Sequence, residues 1–404
     1  METATVAPTM PAMNHATKAA PKERQAVPVV TLRQQFVQIE RDMNATFAER
    51  EREIRGLIIA ALAGEHVLLL GPAGTAKSAL ANTFCSAIEQ ATFFQWLLTR
   101  FSTPEELFGP VSLDGLKHDT FRRVTRGKLP EAHVVFLDEI YKANSAVLNS
   151  LLTAANERAF DNDGGRHHIP LETIVGASNE LPEGPELAAL HDRFLLRYWV
   201  TYTKTPDAFK RLLTGTEPAI NARISLADLK AAQAEVQAVK VTDAAVDELF
   251  RLRAEVAVEG VVASDRRWRK AVRILKAAAW LDGATEVTPE AFPILAHVLW
   301  ETTEQISKLM GIVAKYTSAE LAEAQEVADT VLELVGNLPQ KGTEQYAQQL
   351  VSITRELKKA AERIVKLQKN CSGVQSKARI DTIRTEVEQR YNSLKRDAAA
   401  ALDL

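Results

Sequence analysis

Between positions 71 and 79 the chain reads Gly71-Pro72-Ala73-Gly74-Thr75-Ala76-Lys77-Ser78-Ala79, two glycines ahead of a Lys-Ser pair. Glycines let a backbone curl until successive N–H groups and a helix N-terminus face one point, and that point binds phosphate oxygens. In that frame Lys77 bridges the β- and γ-phosphates of ATP, and the Ser78 hydroxyl completes a Mg²⁺ shell. Ala76 stands where a last glycine is expected, which requires a negative φ there.

Further along, Val134-Val135-Phe136-Leu137 delivers Asp138 and Glu139. Four apolar residues bury a strand, and its C-terminal end is where a parallel sheet binds ligands. Asp138 is expected to hold Mg²⁺ with Ser78, and Glu139 to orient or deprotonate the water attacking the γ-phosphate. A third apolar run ends at Ser178-Asn179-Glu180, where Asn179 can hydrogen-bond the γ-phosphate or that water. Two arginines bracket the next run, in Asp192-Arg193-Phe194 and at Arg197. Arg193 is the candidate to reach a neighbouring γ-phosphate, with Arg197 as the alternative. Ser264 caps a helix whose first turn carries Arg266 and Arg267, candidates to read the bound nucleotide.

These residues need rigid elements to position them. Short apolar runs at 66–70, 134–137, 173–177 and 195–200 alternate with helical sequence such as 77–89, 146–158 and 185–194. Strands alternating with helices predict a parallel sheet covered on both faces. From Thr205 to Trp300 helical patterns dominate and predict a separate helical unit. Beyond it, Leu350, Ile353, Leu357, Ala360, Ile364 and Leu367 repeat by threes and fours, as do Ile380, Ile383, Val387, Tyr391 and Leu394. That is the seam of a helical hairpin, expected to pack on a helix over 306–334. The partition is therefore a disordered tail over 1–30, an α/β nucleotide-binding core over 31–203, a helical lid over 204–302 and a helical C-terminal region over 303–404.

Bulk properties exclude more than they identify. A net charge of -3 argues against a dedicated nucleic-acid binder, although residues 341–404 carry 13 Lys and Arg against 8 Asp and Glu. Cys85 and Cys371 form no CxxC pair, which points to a reducing, cytoplasmic setting. No apolar run is long enough for a membrane span. His167-His168, in a loop rich in Gly and Asp, reads as a turn rather than a metal site.

The order of P-loop, Asp-Glu strand, Asn sensor, Asp-Arg-Phe and a helical lid opening Ser-Asp-Arg resembles an AAA+ ATPase. Within that class, Arg100 to Pro110, Gly127-Lys128-Leu129 and Ala132 to Ile140 resemble the MoxR group, and its RavA branch in particular. The resemblance implies a hexameric ring with ATP at subunit interfaces and a β-hairpin before Asp138, here near 120–126. It also implies a von Willebrand factor A domain partner and a chaperone that remodels or matures a protein client. Phe108 is the candidate pore-loop residue. A second reading is a nucleotide-gated scaffold whose C-terminal helices recruit a partner while hydrolysis only resets it.

Overall fold

The structure is a computed structural model that describes residues 31–215, 220–336, 338–339, 344–371 and 374–402. The tail expected over 1–30 lies outside the described residues.

Helix α1 (Leu32–Thr46) turns Phe36, Ile39 and Met43 inward at helical spacing. Helix α2 (Glu51–Ala63) is buried from Leu57 to Leu62 because it is enclosed by the sheet on one side and the lid on the other. Gly64 stops it in the left-handed conformation that glycine tolerates. Then come β1 (Val67–Leu70), α3 (Lys77–Ser86), β2 (Ile88–Glu89), β3 (Phe93–Leu97), α4 (Pro104–Phe108), α5 (Leu113–Lys117) and β4 (Val134–Asp138). They are followed by α6 (Ser145–Glu157), β5 (Ala159–Asn162), β6 (Gly165–His168), β7 (Thr173–Ser178), α7 (Pro185–Arg193) and β8 (Leu196–Trp199).

Five of these strands form one parallel sheet in the order β3-β4-β7-β1-β8. In register, Leu70 lies beside Ser178 and Trp199, so the C-terminal ends of β1, β7 and β8 share an edge. The fully buried β1 and β7 explain why their sequences read as unbroken apolar runs. Strand β3 is an edge strand with alternating exposure, and its polar Gln95 hides it from a search for apolar runs.

Three local expectations are corrected. The helix predicted over 77–89 ends at Ser86, since Ile88 and Glu89 pair with Ile224 and Ser225. The hairpin expected near 120–126 is reduced to one bridge, Val111 to Arg123, while the regular hairpin is β5–β6, after Asp138. Phe108, proposed as a pore residue, is buried and stacks on Phe160 with ring centroids 6.3 Å apart.

The lid comprises α8 (Pro206–Thr214), β9 (Ile224–Ser225), α9 (Leu226–Ala238), β10 (Lys240–Val241), α10 (Asp243–Val258), α11 (Asp265–Leu281), β11 (Glu286–Val287) and a 3₁₀ stretch over Pro289–His297. Thr205, Ser225, Thr242 and Ser264 each cap a helix through a side-chain oxygen. Two-residue parallel pairs, β2–β9 and β10–β11, interrupt the helical pattern. Helix α12 (Thr303–Thr317) buries Leu309, Ile312 and Val313 in the same core.

The helix expected over 306–334 breaks at Ser318, whose extended backbone ends α12 and begins α13 (Ala319–Gly336). With α14 (Glu344–Asn370) and α15 (Val374–Leu402) it encloses a second core around Leu350, Leu357, Ile364, Ile380 and Val387. Tyr346 bonds Asp397 at one end and Gln368 bonds Asp381 at the other, so α14 and α15 run antiparallel as the seam predicted. Ser376, fully buried, ties this bundle to the lid by donating from its hydroxyl to Glu290 at 2.8 Å. Among the described residues, no helix is long and apolar enough to cross a membrane.

Candidate functional site

The loop from Gly71 to Ala76 connects β1 to α3 at the shared C-terminal edge of the sheet. Gly71 sits at φ +137°, and a Cβ there would stand 2.1 Å from the Val200 carbonyl oxygen, so glycine is required. Its N–H donates to the Ser178 carbonyl, which fastens the loop to β7. Gly74 and Ala76 both have positive φ, +78° and +68°. The expected negative φ at Ala76 is therefore overturned: the left-handed turn that aims N–H groups inward is formed by alanine, at a cost of roughly 1–2 kcal/mol.

The Lys77 ammonium is folded onto this loop, donating to the carbonyls of Gly71 at 2.6 Å and Pro72 at 2.9 Å and to Asn179 Oδ1 at 2.9 Å. Burial pulls its pKa below the ordinary lysine value, and Asp138 and Glu139 oppose that shift. The Ser78 hydroxyl donates to Asp138 Oδ2 at 3.2 Å. The Asn179 amide donates to Glu139 Oε1 at 2.5 Å, and Lys142 lies 3.4 Å from the same carboxylate. Glu139 adopts φ +53°, a backbone state that aims its side chain across the strand ends. The Glu139 N–H donates to Asp138 Oδ1 at 3.0 Å, so five predicted residues, Lys77, Ser78, Asp138, Glu139 and Asn179, form one connected network.

This arrangement fits a Mg²⁺ nucleotide. Ser78 and Asp138 offer hard oxygen donors side by side, and the curled loop presents its amides and a lysine to phosphates.

The arginines lie elsewhere. Arg193 ends α7 at the N-terminal edge of the sheet, away from its own loop, with its guanidinium 3.4 Å from Asp192 and its buried Nε without a hydrogen-bond partner among the described residues. Arg197 is 1% exposed and donates to the carbonyls of Phe194 at 3.2 Å and Trp300 at 2.6 Å. Held in this way it is not offered to a neighbour, so Arg197 is withdrawn as the alternative finger. Arg267 is likewise buried, bonding Val298, Phe194, Leu195 and the Asp192 carboxylate. Its partners start β8, at the end of the sheet opposite the loop, so it does not read the nucleotide of its own chain. Arg266 is exposed beside a cavity at that same edge.

A clamp was not legible in the sequence. Arg50, 6% exposed, donates to the Thr75 carbonyl at 3.4 Å and the Thr201 carbonyl at 2.7 Å. The adjacent Glu49 carboxylate accepts from the backbone N–H groups of Lys204 and Thr205. Tyr202 donates to the Ala73 carbonyl at 3.2 Å. The phosphate loop is thereby joined to the segment that leads into the lid.

A parallel sheet in this order, a phosphate loop after β1, paired acids at the end of β4 with β7 between the two strands, and a helical lid define an AAA+ P-loop ATPase fold. The chain belongs to the MoxR family: residues 34–240 match the model of the MoxR domain in the MoxR-vWA-beta-propeller ternary systems, and residues 245–313 match an AAA lid domain. Two uncharacterized proteins of Methanocaldococcus jannaschii are similar, at 37% identity over 299 residues (73% of this chain, 80% of the relative) and 35% over 302 (74% and 79%). A structural protein of Acidianus two-tailed virus is 25% identical over 236 residues, 55% of this chain and 37% of that one. A crystal structure from Cytophaga hutchinsonii, provisionally described as an ATPase, has the same fold with a TM-score of 0.55 at 19% identity, covering 70% of this chain and 94% of that one.

Proposed function

We propose that this chain hydrolyses ATP to ADP and phosphate and uses the cycle to remodel a protein client. The observation that carries the reading is the network in which Asn179 touches both Lys77 and Glu139 while Ser78 touches Asp138. The loop from Gly71 through Ala79 cradles the phosphates, and Lys77 releases its carbonyl partners to bind them. Ser78 and Asp138 hold Mg²⁺, which neutralises charge on the phosphates. Glu139 takes the proton of the attacking water, and Asn179 fixes the orientation of that carboxylate.

Arg193 sits too far along the sheet to serve its own nucleotide, which favours a ring in which it reaches the neighbour's γ-phosphate; the family resemblance makes that ring a hexamer. The MoxR domain match supports a von Willebrand factor A domain partner, and the resemblance to the RavA branch supports a cytoplasmic chaperone. ATP turnover by the purified chain tests the core of the reading, since equal turnover in the parent, Lys77→Ala and Glu139→Gln would refute it. The separate core of α13 to α15 favours a variant reading, a scaffold whose bundle recruits the partner. Removal of residues 336–404 tests that variant: it requires lost partner capture with turnover retained.

A further inference from the structure

A concave cluster of basic side chains lies away from the phosphate loop. Where α2 ends and β1 begins, a cavity of about 400 Å³ opens between the core and α11. It is lined by Arg158, Arg266, Arg269, Lys270 and Arg273, with Glu65 as the single carboxylate. Glu65 is 2% exposed and already paired, to Lys270 at 2.8 Å and Arg273 at 3.2 Å. Arg158 spends its donors on the carbonyls of Gly64, Leu171 and Glu172. Among the described residues, Arg266 and Arg269 have no hydrogen-bond or ion-pair partner.

Five cations around one anion is an unfavourable arrangement for a cavity. Positions 266, 269, 270 and 273 are neighbours on one helix face, where like charges repel, and they begin in the first turn, where the helix dipole disfavours positive charge. A solvated face would spread its cations over a convex surface; these converge on a concavity. The volume suits a small molecule, and the lining has almost no apolar side chain to hold a hydrophobic body. Guanidinium groups match phosphoryl oxygens bidentately.

We infer that this cavity is a second anion site, which takes a small, multiply phosphorylated anion through Arg266, Arg269 and Arg273. It lies at the N-terminal edge of the sheet, so its occupancy does not require the loop at Gly71 to be filled. The ligand is a free phosphorylated compound, distinct from a nucleotide held in the Gly71 loop of any copy. Because α11 packs on α2, which leads into β1, an anion here bridges lid and core.

The test uses the full chain carrying Lys77→Ala, titrated calorimetrically with sodium tripolyphosphate at low and at physiological salt. Saturable binding of one anion per chain that weakens with salt is expected. Adding Arg266→Ser, Arg269→Ser and Arg273→Ser is expected to weaken it about tenfold or more. Absence of saturable binding, or equal affinity in the substituted chain, would overturn the inference. Should the triple variant misfold, Arg269→Gln alone, which removes no bond, is expected to weaken binding several-fold, and an unchanged affinity overturns the inference equally. A repeat on the parent loaded with a non-hydrolysable ATP analogue checks independence from the Gly71 loop: retained tripolyphosphate binding is expected, and its loss would overturn the inference. Loss of ATP turnover in Lys77→Ala with tripolyphosphate binding intact keeps this site distinct from the ATPase reading.

Discussion

Lys77 Nζ lies 2.9 Å from Asn179 Oδ1, so the residue proposed to meet the phosphates and the residue that donates to Glu139 are in contact. Asn179→Ala cuts both links without opening the phosphate loop. Turnover is expected to fall about 10- to 100-fold while ADP affinity changes little. Steady-state hydrolysis alongside fluorescent-ADP binding measures the two separately.

Glu139→Gln keeps an oxygen that can accept from the Asn179 amide, so the network survives while the proposed base is lost. The variant is expected to bind ATP as the parent does and to hydrolyse it roughly 100-fold more slowly. A single-turnover experiment with labelled ATP reads this directly.

Gly71→Ala places a methyl group 2.1 Å from the Val200 oxygen at a φ of +137°. The chain must separate the loop from β8, and a loss of about 3 kcal/mol or more is expected. Thermal unfolding checks the loss; a midpoint equal to the parent's would contradict the geometry.

The two arginines around β8 separate function from structure. If the proposed ring forms, Arg193→Ala is expected to slow its turnover with unfolding unchanged. Arg197→Met strands the Phe194 and Trp300 carbonyls and is expected to cost about 2–4 kcal/mol of stability. Parallel turnover and chemical denaturation distinguish them.

Acid is expected to unfold the chain through buried imidazoles. Burial lowers His66 and His297 from 6.5 to about 3 and His191 to about 2, so all three are neutral in the folded state. The unfolded chain binds protons near pH 6.5 and the folded chain does not. Stability is thus full above that value and falls as pH drops toward 3, by up to about 1.4 kcal/mol per unit for each group. His66 accepts from the Ile174 N–H and bonds the Ala155 carbonyl at 2.8 Å. Denaturant midpoints between pH 7 and 5 test the slope, and His66→Gln should make it shallower.

The clustering of the proposed phosphate-binding residues was legible because they are close in sequence or end apolar strands. Lys77, Ser78, Asp138, Glu139 and Asn179 each follow a buried run, and parallel pairing brings those ends together. What stayed hidden depends on distant contacts. Arg50 reaches Thr201 across 151 positions, and nothing local distinguishes it from other charged residues at a helix start. Arg197 looks identical to a finger in sequence and differs only by burial. Strand β3 alternates exposed and buried residues, and the lid's paired strands are two residues long, too short for periodicity.

The bond from Ser376 to Glu290 gives the C-terminal bundle a fulcrum on the lid. Helix α14, 27 residues long, reaches about 40 Å from that end. If the lid turns by about 10° between nucleotide states, simple geometry carries the far tip through about 7 Å. The bundle is then a mechanical amplifier: a small rotation, set beside the phosphates, is read out as a stroke of several ångströms at the opposite end of the chain.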